Sequence, residues 1–232
     1  MNARLRLIAS LIPDSTGFAD IGTDHGYLPA YMASRGYSGR IIAADIKEIP
    51  LSTAVNTARE YGVEDKISFR LSDGLDAVEP SEVDTIIIAG MGGDTISGIL
   101  DRAEWCMDEK YLLLLQPMTK CEILRYWLCY NGFAILRENL INDNGETYQI
   151  ISARFTGENM PLSDAELFTG KYELARGNTL FYTELTRLIR RFERALGGMD
   201  KAKRTIARRE LNAEILRELE KMKELEDNEK SK

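Results

Sequence analysis

The chain has 232 residues, 44% of them hydrophobic and 29% charged, the balance of a globular domain with room for a smaller appendage. A formal charge of −7 excludes a uniformly basic nucleic-acid binder, and no apolar run is long enough to cross a membrane. One histidine, and three cysteines (Cys106, Cys121, Cys129) without CxxC spacing, argue against a structural zinc site.

The opening "MNARLRLIASLIPDS" has a short apolar stretch broken by Pro13 and Asp14, with no leader-type cleavage site. Together with the cysteine usage, it predicts a protein of the reducing cytoplasm. From residue 18 apolar strands alternate with helices. "GFADIG" is a strand, followed by a helix through "LPAYMASRG". "GRIIAADI" is a second strand, and "PLSTAVNTAREYG" a helix opened by proline and closed by glycine. "KISFRLSDG", the wholly apolar "VDTIIIAG" and "YLLLLQP" follow as strands, the last leading into the helix "KCEILRYWLCYNG". "FAILRENLI" and "TYQIISARF" flank the turn-prone "NDNGE" and form a hairpin.

This order predicts an α/β, Rossmann-like doubly wound sheet over residues 1–160, closed by an antiparallel hairpin. Residues 161–232 read instead as an α-helical, coiled-coil-like hairpin turning at Gly197 and Gly198. Its apolar stripes are Leu180, Phe181, Leu185, Leu188, Ile189, Phe192 and Leu196, then Ile206, Leu211, Ile215, Leu219, Met222 and Leu225. Charge is segregated. Through residue 162, 14 basic against 23 acidic residues leave −9; within 187–209, nine against two leave +7.

In the first turn Gly22 and Gly26 flank Thr23, Asp24 and His25, so the middle glycine of a pyrophosphate-binding GxGxxG is missing. Asp20 and Asp24 would repel a phosphate and welcome an ammonium, which favours S-adenosylmethionine over NAD. Asp45 ends the second strand, followed by Ile46, where an acid can take both ribose hydroxyls. Asp73, followed by Gly74, ends the third strand and can accept from an adenine amine. "AGMGG" replaces the [DN]PP[FYW] tetrad of amino-methylases. Gly90 and Met91 fall on the cofactor side, Gly92 and Gly93 leave room for a planar base, and Asp94 is placed to cap the next helix. Gln116 and Pro117 end the next strand, where the Gln116 amide offers a donor and an acceptor to a base edge. On these residues alone three alternatives stay open. They are a methylase of another RNA base or small molecule, an NAD(P)-dependent oxidoreductase, and a catalytically silent RNA-binding scaffold.

"ADIGTDHGYLP", "IIIAGMGG" and "LLLLQP", in that order before a closing hairpin, resemble the TrmK-type bacterial tRNA methyltransferases over nearly the whole chain. The resemblance implies a class I methyltransferase fold, S-adenosylmethionine as cofactor, and N1 of the adenine at tRNA position 22 as methyl acceptor. It also implies a helical tail that helps to hold tRNA. Adenine N1 has a free lone pair, so positioning can carry most of the catalysis. Asp24, His25 and Gln116 are the candidate catalytic groups. Because N1 is paired in folded tRNA, the base must be exposed at a cost of a few kcal/mol. Phosphate contacts from Arg187, Arg190, Arg191, Arg194, Lys201, Lys203, Arg204, Arg208 and Arg209 would offset it, with Arg4 and Arg6 contributing from an N-terminal helix. The expected state is a monomer or a weak dimer through the tail, with no membrane partner.

Overall fold

The computed structural model describes residues 1–14, 16–198 and 206–230. The chain divides into two compact units, Met1–Met160 and Pro161–Lys232.

The first unit opens with helix α1 (Ala3–Leu11), whose start is fixed by the Asn2 side chain accepting from Leu5 N at 2.9 Å. Strand β1 (Gly17–Ile21), helix α2 (Tyr27–Ser34), strand β2 (Arg40–Asp45), helix α3 (Glu48–Glu60) and strand β3 (Ser68–Leu71) form the first winding. Strand β4 (Thr85–Gly92), helix α4 (Gly93–Arg102), strand β5 (Leu112–Thr119) and helix α5 (Cys121–Tyr130) form the second. Strands β6 (Phe133–Asp143) and β7 (Glu146–Phe155) close it. The seven strands lie in the order β3-β2-β1-β4-β5-β7-β6, all parallel up to β5, with β7 antiparallel to both its neighbours. The reversal is made by the two residues Asn144 and Gly145, at φ 55° and 87°, the pair of positive angles that a tight hairpin turn demands.

Both faces of the sheet are covered, which is why its central strands are apolar without interruption. Phe18, Ile87 and Leu114 pack with Ile8, Leu28 and Ala58 of α1–α3. Their neighbours Ala19, Ile86, Ile88, Leu113 and Leu115 pack with Ile96, Leu100, Leu124 and Leu128 of α4 and α5. Beneath α5, the fully buried Arg125 guanidinium donates from Nε to Glu138 at 2.6 Å and from Nη2 to Gln149 at 2.6 Å, tying the helix to the hairpin.

Four boundaries differ from the sequence reading as follows. Helix α3 begins at Glu48 rather than Pro50. Proline sits within its first turn, where a missing N–H leaves no helical bond unmade. Strand β4 runs on through Met91 and Gly92, with a register irregularity at Gly90 (φ 82°), and β5 runs on to Thr119. Strand β3 ends at Leu71, so Asp73 stands in the turn after it.

In the second unit helix α6 (Asp164–Thr169) starts at a capping box built by Ser163 and Glu166. The short helix α7 (Tyr172–Ala175) leads to the long helices α8 (Thr179–Gly198) and α9 (Ile206–Lys230). Lys223, late in α9, lies over the ring of Tyr182, early in α8, so the two run antiparallel. Phe181, Leu185, Leu188, Ile189 and Phe192 form the buried stripe of α8. On α9 the buried face is Ile215, Leu219 and Glu226, whereas Leu225, Leu211 and Ile206 are exposed. The acid takes the inward position because both its oxygens accept the Gly177 backbone N–H, each at 3.2 Å.

Candidate active site

The carboxyl ends of β1, β2 and β4 converge where the strand order reverses, and a cleft of about 890 Å³ opens there. Asp20, Gly22, Asp24, His25, Asp45, Ile46, Asp73, Gly74, Gly90 and Met91, read from separate stretches of sequence, all line it.

The turn after β1 is built on backbone. Gly22 N and Thr23 N donate to Ala44 O at 2.8 and 3.0 Å, and Gly26 N donates to Thr23 O at 2.8 Å. Gly22 (φ 71°) and Asp24 (φ 49°) both occupy the left-handed region. A β-carbon on Gly22 would stand 2.1 Å from the Met91 methyl, so glycine here admits Met91 to the cleft wall.

Asp20 is buried, and the Thr23 hydroxyl donates to it at 2.7 Å. Burial pushes its carboxyl up to about 6; the Thr23 bond opposes the shift and the neighbouring Asp45 charge adds to it. Asp45 is oriented by two backbone donors, Asp24 N at 3.2 Å and Lys47 N at 3.0 Å. His25 Nε2 lies 3.5 Å from Asp24 Oδ2, and its ring stacks on Tyr27 at 5.4 Å. On the opposite rim Asp73 is held by Arg102 at 2.9 Å. Asp94 is bound by Lys120, whose ammonium keeps that carboxyl below its usual range, with the N–H groups of Asp94 and Thr95 assisting.

Several expected site residues sit elsewhere. Gly26 does not line the cleft. Its β-carbon would strike Ala54 Cβ at 2.7 Å, so it serves the approach of α2 to α3. Gly93 is buried with the Lys120 carbonyl oxygen 2.2 Å from where a β-carbon would be, and neither it nor Gly92 lines the cleft. Asp94 is not the cap of α4; Gly92 occupies that position. Gln116 and Pro117 are buried, outside the cleft lining. The Gln116 amide is already engaged, accepting from Gly90 N at 3.1 Å and from Arg4 Nη1, and donating to Pro117 O at 2.8 Å. It braces the β4–β5 end rather than facing a base edge.

Sequence reasoning missed Thr23, which supports Asp20, and Arg102, which holds Asp73. The Arg102 partner Asp73 lies 29 residues away in the chain, so no local pattern signals that pairing. In the second unit Arg187 is paired with Glu184 at 2.8 Å, and Arg191 lies 5.6 Å above the Phe168 ring. Arg190, Arg194 and Arg208 are exposed, while Lys201, Lys203 and Arg204 lie outside the described residues.

A family model described as "Methyltransferase domain" matches residues 1–151. The tRNA (adenine(22)-N(1))-methyltransferase of Bacillus subtilis is 28% identical over 98% of both chains. The structure of Sp1610 of Streptococcus pneumoniae, a putative tRNA (m1A22) methyltransferase, superposes with TM-score 0.83 at 29% identity, covering 96% of this chain and 99% of that one. The same protein in complex with S-adenosyl-L-methionine gives 0.79, covering 96% and 100%. M. capricolum TrmK in complex with S-adenosyl-homocysteine gives 0.78 at 27% identity over 98% of each chain. The chain belongs to the methyltransferase-domain family, and over its whole length it is similar to the TrmK tRNA methyltransferases.

Proposed function

We propose that the protein is an S-adenosylmethionine-dependent tRNA methyltransferase acting on N1 of the adenine at position 22. The observation that carries the reading is the charge of the cleft. Asp20, Asp24 and Asp45 crowd the turn after β1 with carboxylates, and the phosphate-cradling glycine is absent. That donor set suits an amino-acid head and a ribose and rejects a pyrophosphate, which favours S-adenosylmethionine over a nicotinamide dinucleotide.

Bound there, S-adenosylmethionine supplies an electrophilic methyl group. Asp20 and Asp24 provide negative charge for its ammonium. Asp45, fixed by its two backbone donors, has lone pairs left for the ribose hydroxyls, and the exposed Ile46 side chain offers an apolar face to adenine. Asp73 is shared with Arg102 and can accept from an amine. The acceptor N1 needs no prior deprotonation, so the residues of the wall act by orientation and water exclusion. Asp24 and His25, both exposed, are placed to take the proton the exocyclic amine releases afterwards.

The second unit supplies the RNA contacts in this reading. Arg190, Arg191, Arg194 and Arg208, with Lys203 and Arg204, give one-signed charge to a chain that is acidic elsewhere. The three free thiols suit the reducing cytoplasm, and the protein acts there as a monomer or a weak dimer through its helical unit.

The test is transfer of labelled methyl from S-adenosylmethionine to unmodified bulk tRNA, followed by nucleoside analysis. The expected product is 1-methyladenosine, lost when adenine 22 is replaced. A different methylated nucleoside, or none, overturns the assignment.

A further inference from the structure

Among the described residues four basic side chains line the cleft, and two of them have a carboxylate in reach. Arg102 is paired with Asp73 and His25 faces Asp24, while the lining Asp94 is bound by Lys120 from outside the lining. Two lining cations differ: Lys47 beside Asp45 at the end of β2, and Arg4 of α1 at the end of β4 and β5. Among the described residues no carboxylate lies within ion-pair distance of the Arg4 guanidinium. The Asp143 carboxylate accepts instead from the Arg4 backbone N–H at 3.4 Å, and the neighbours of the guanidinium itself are neutral groups. Nη1 donates to the Gln116 carbonyl and lies 3.6 Å from Met118 Sδ, and the guanidinium carbon sits 5.5 Å from the centre of the Tyr148 ring.

Those neighbours are themselves fixed. Gln116 is fully buried and spends its remaining bonds on Gly90 N and Pro117 O. Gly90 lies directly beside the guanidinium: a β-carbon there would stand 3.6 Å from Arg4 Nη1, in ordinary contact. A charged, planar donor is thus held half-buried at one place on the cleft wall with N–H groups to spare, and among the described residues its guanidinium forms no ion pair. A group of that kind is an anion receptor.

We propose that Arg4 binds a phosphodiester of the tRNA backbone beside the target nucleotide, on the β4–β5 side of the cleft. The inference rests on the tRNA reading given above. Contact with the base itself is disfavoured by the chemistry. A guanidinium donor would tie up the N1 lone pair that must attack, and the base gains positive charge as its methyl arrives. A flanking phosphate carries the opposite charge and matches the guanidinium fork. Held there, it would stop the exposed nucleotide from returning to its stack.

The experiment compares the wild-type protein with Arg4→Met and Arg4→Lys. The readouts are tRNA affinity across a salt series, kcat and KM for tRNA, S-adenosylmethionine affinity and melting temperature. Removing one phosphate contact lowers the slope of log affinity against log salt by about one. Arg4→Met is expected to show that change and a roughly 10- to 100-fold lower kcat/KM for tRNA. Its cofactor affinity should stay within about twofold. Arg4→Lys, which keeps the charge and loses the fork, is expected to retain the wild-type slope with a raised KM. An unchanged slope in Arg4→Met, or loss of cofactor affinity and melting temperature in both variants, overturns the proposal and leaves Arg4 a structural brace. If the wild-type protein itself neither binds nor methylates tRNA, the functional assignment fails and this proposal fails with it.

Discussion

Asp20 and Asp45 end adjacent parallel strands and face one cleft, and the Asp45 charge helps to raise the Asp20 carboxyl. Asp20 is displaced to about 6, chiefly because burial removes the water that would stabilise its charge. A carboxyl whose pKa is raised by folding binds its proton more tightly in the native state. The free protein therefore loses stability as pH rises from about 4 to about 6, by up to about 3 kcal/mol from this group. An ammonium-bearing ligand prefers the ionised form, so S-adenosylmethionine affinity should rise across the same window and level off above it. Melting curves between pH 4 and 8, with and without cofactor, check both slopes. In Asp20→Asn the difference from wild type should abolish this stability slope and weaken cofactor binding at pH 7.

Gly22 and Gly26 share a left-handed backbone but differ in what a side chain would meet. At Gly22 the obstacle is the mobile end of Met91; at Gly26 it is Ala54, including its Cα at 2.8 Å. Gly22→Ala should cost about 1–2 kcal/mol for the positive φ and displace Met91, so cofactor affinity falls more than stability does. Gly26→Ala adds overpacking between two helices and should cost about 2–5 kcal/mol, with the melting temperature as its main readout. Equal effects of the two substitutions on both readouts would contradict this division.

The Arg125–Glu138 pair is the most deeply buried charge interaction in the first unit, with side chains 0% and 4% exposed. Removing one partner strands the other charge, so Glu138→Ala should destabilise the protein by about 3–5 kcal/mol. The double substitution Arg125→Met/Glu138→Leu should recover a large part of that loss. Denaturant titrations of the three proteins decide it. A double variant as unstable as Glu138→Ala would mean that the Gln149 contact, not the charge, sets the cost.

The basic residues of α8 should not behave alike under charge reversal. All three of Arg190, Arg191 and Arg194 are exposed, but Arg191 also covers the Phe168 and Phe192 rings at 5.6 and 5.9 Å. Arg190→Glu and Arg194→Glu should weaken tRNA binding at low salt and leave melting unchanged. Arg191→Glu should lower the melting temperature as well, since it also removes a cation–π contact worth about 0.5–1 kcal/mol. Unchanged tRNA affinity when all three are reversed would remove α8 from the RNA-binding surface.

Much of this protein is written locally. Alternating apolar runs and glycine-bounded helices determine the doubly wound sheet, since a strand buried on both faces must be apolar throughout. Asn144 and Gly145 determine the reversal that sets β7 against β5, because both must take positive φ. Asp20, Gly22 and Asp45 were legible for the same reason: their positions at strand ends, where an open sheet presents its ligand, follow from sequence order. The roles that misled depend on partners distant in the chain. Whether the Gln116 amide faces a base or a guanidinium depends on Arg4, 112 residues away, and whether Asp73 is free depends on Arg102, 29 residues on. A glycine reads alike in sequence whether it makes room for a side chain of the cleft wall, as Gly22 does for Met91, or for a backbone carbonyl, as Gly93 does for Lys120. On α9, the inward place of Glu226 in preference to Leu225 is decided by the Gly177 N–H it satisfies. Periodicity is a property of neighbours along the chain; a polar side chain's role is set by what tertiary packing brings within hydrogen-bond distance of it.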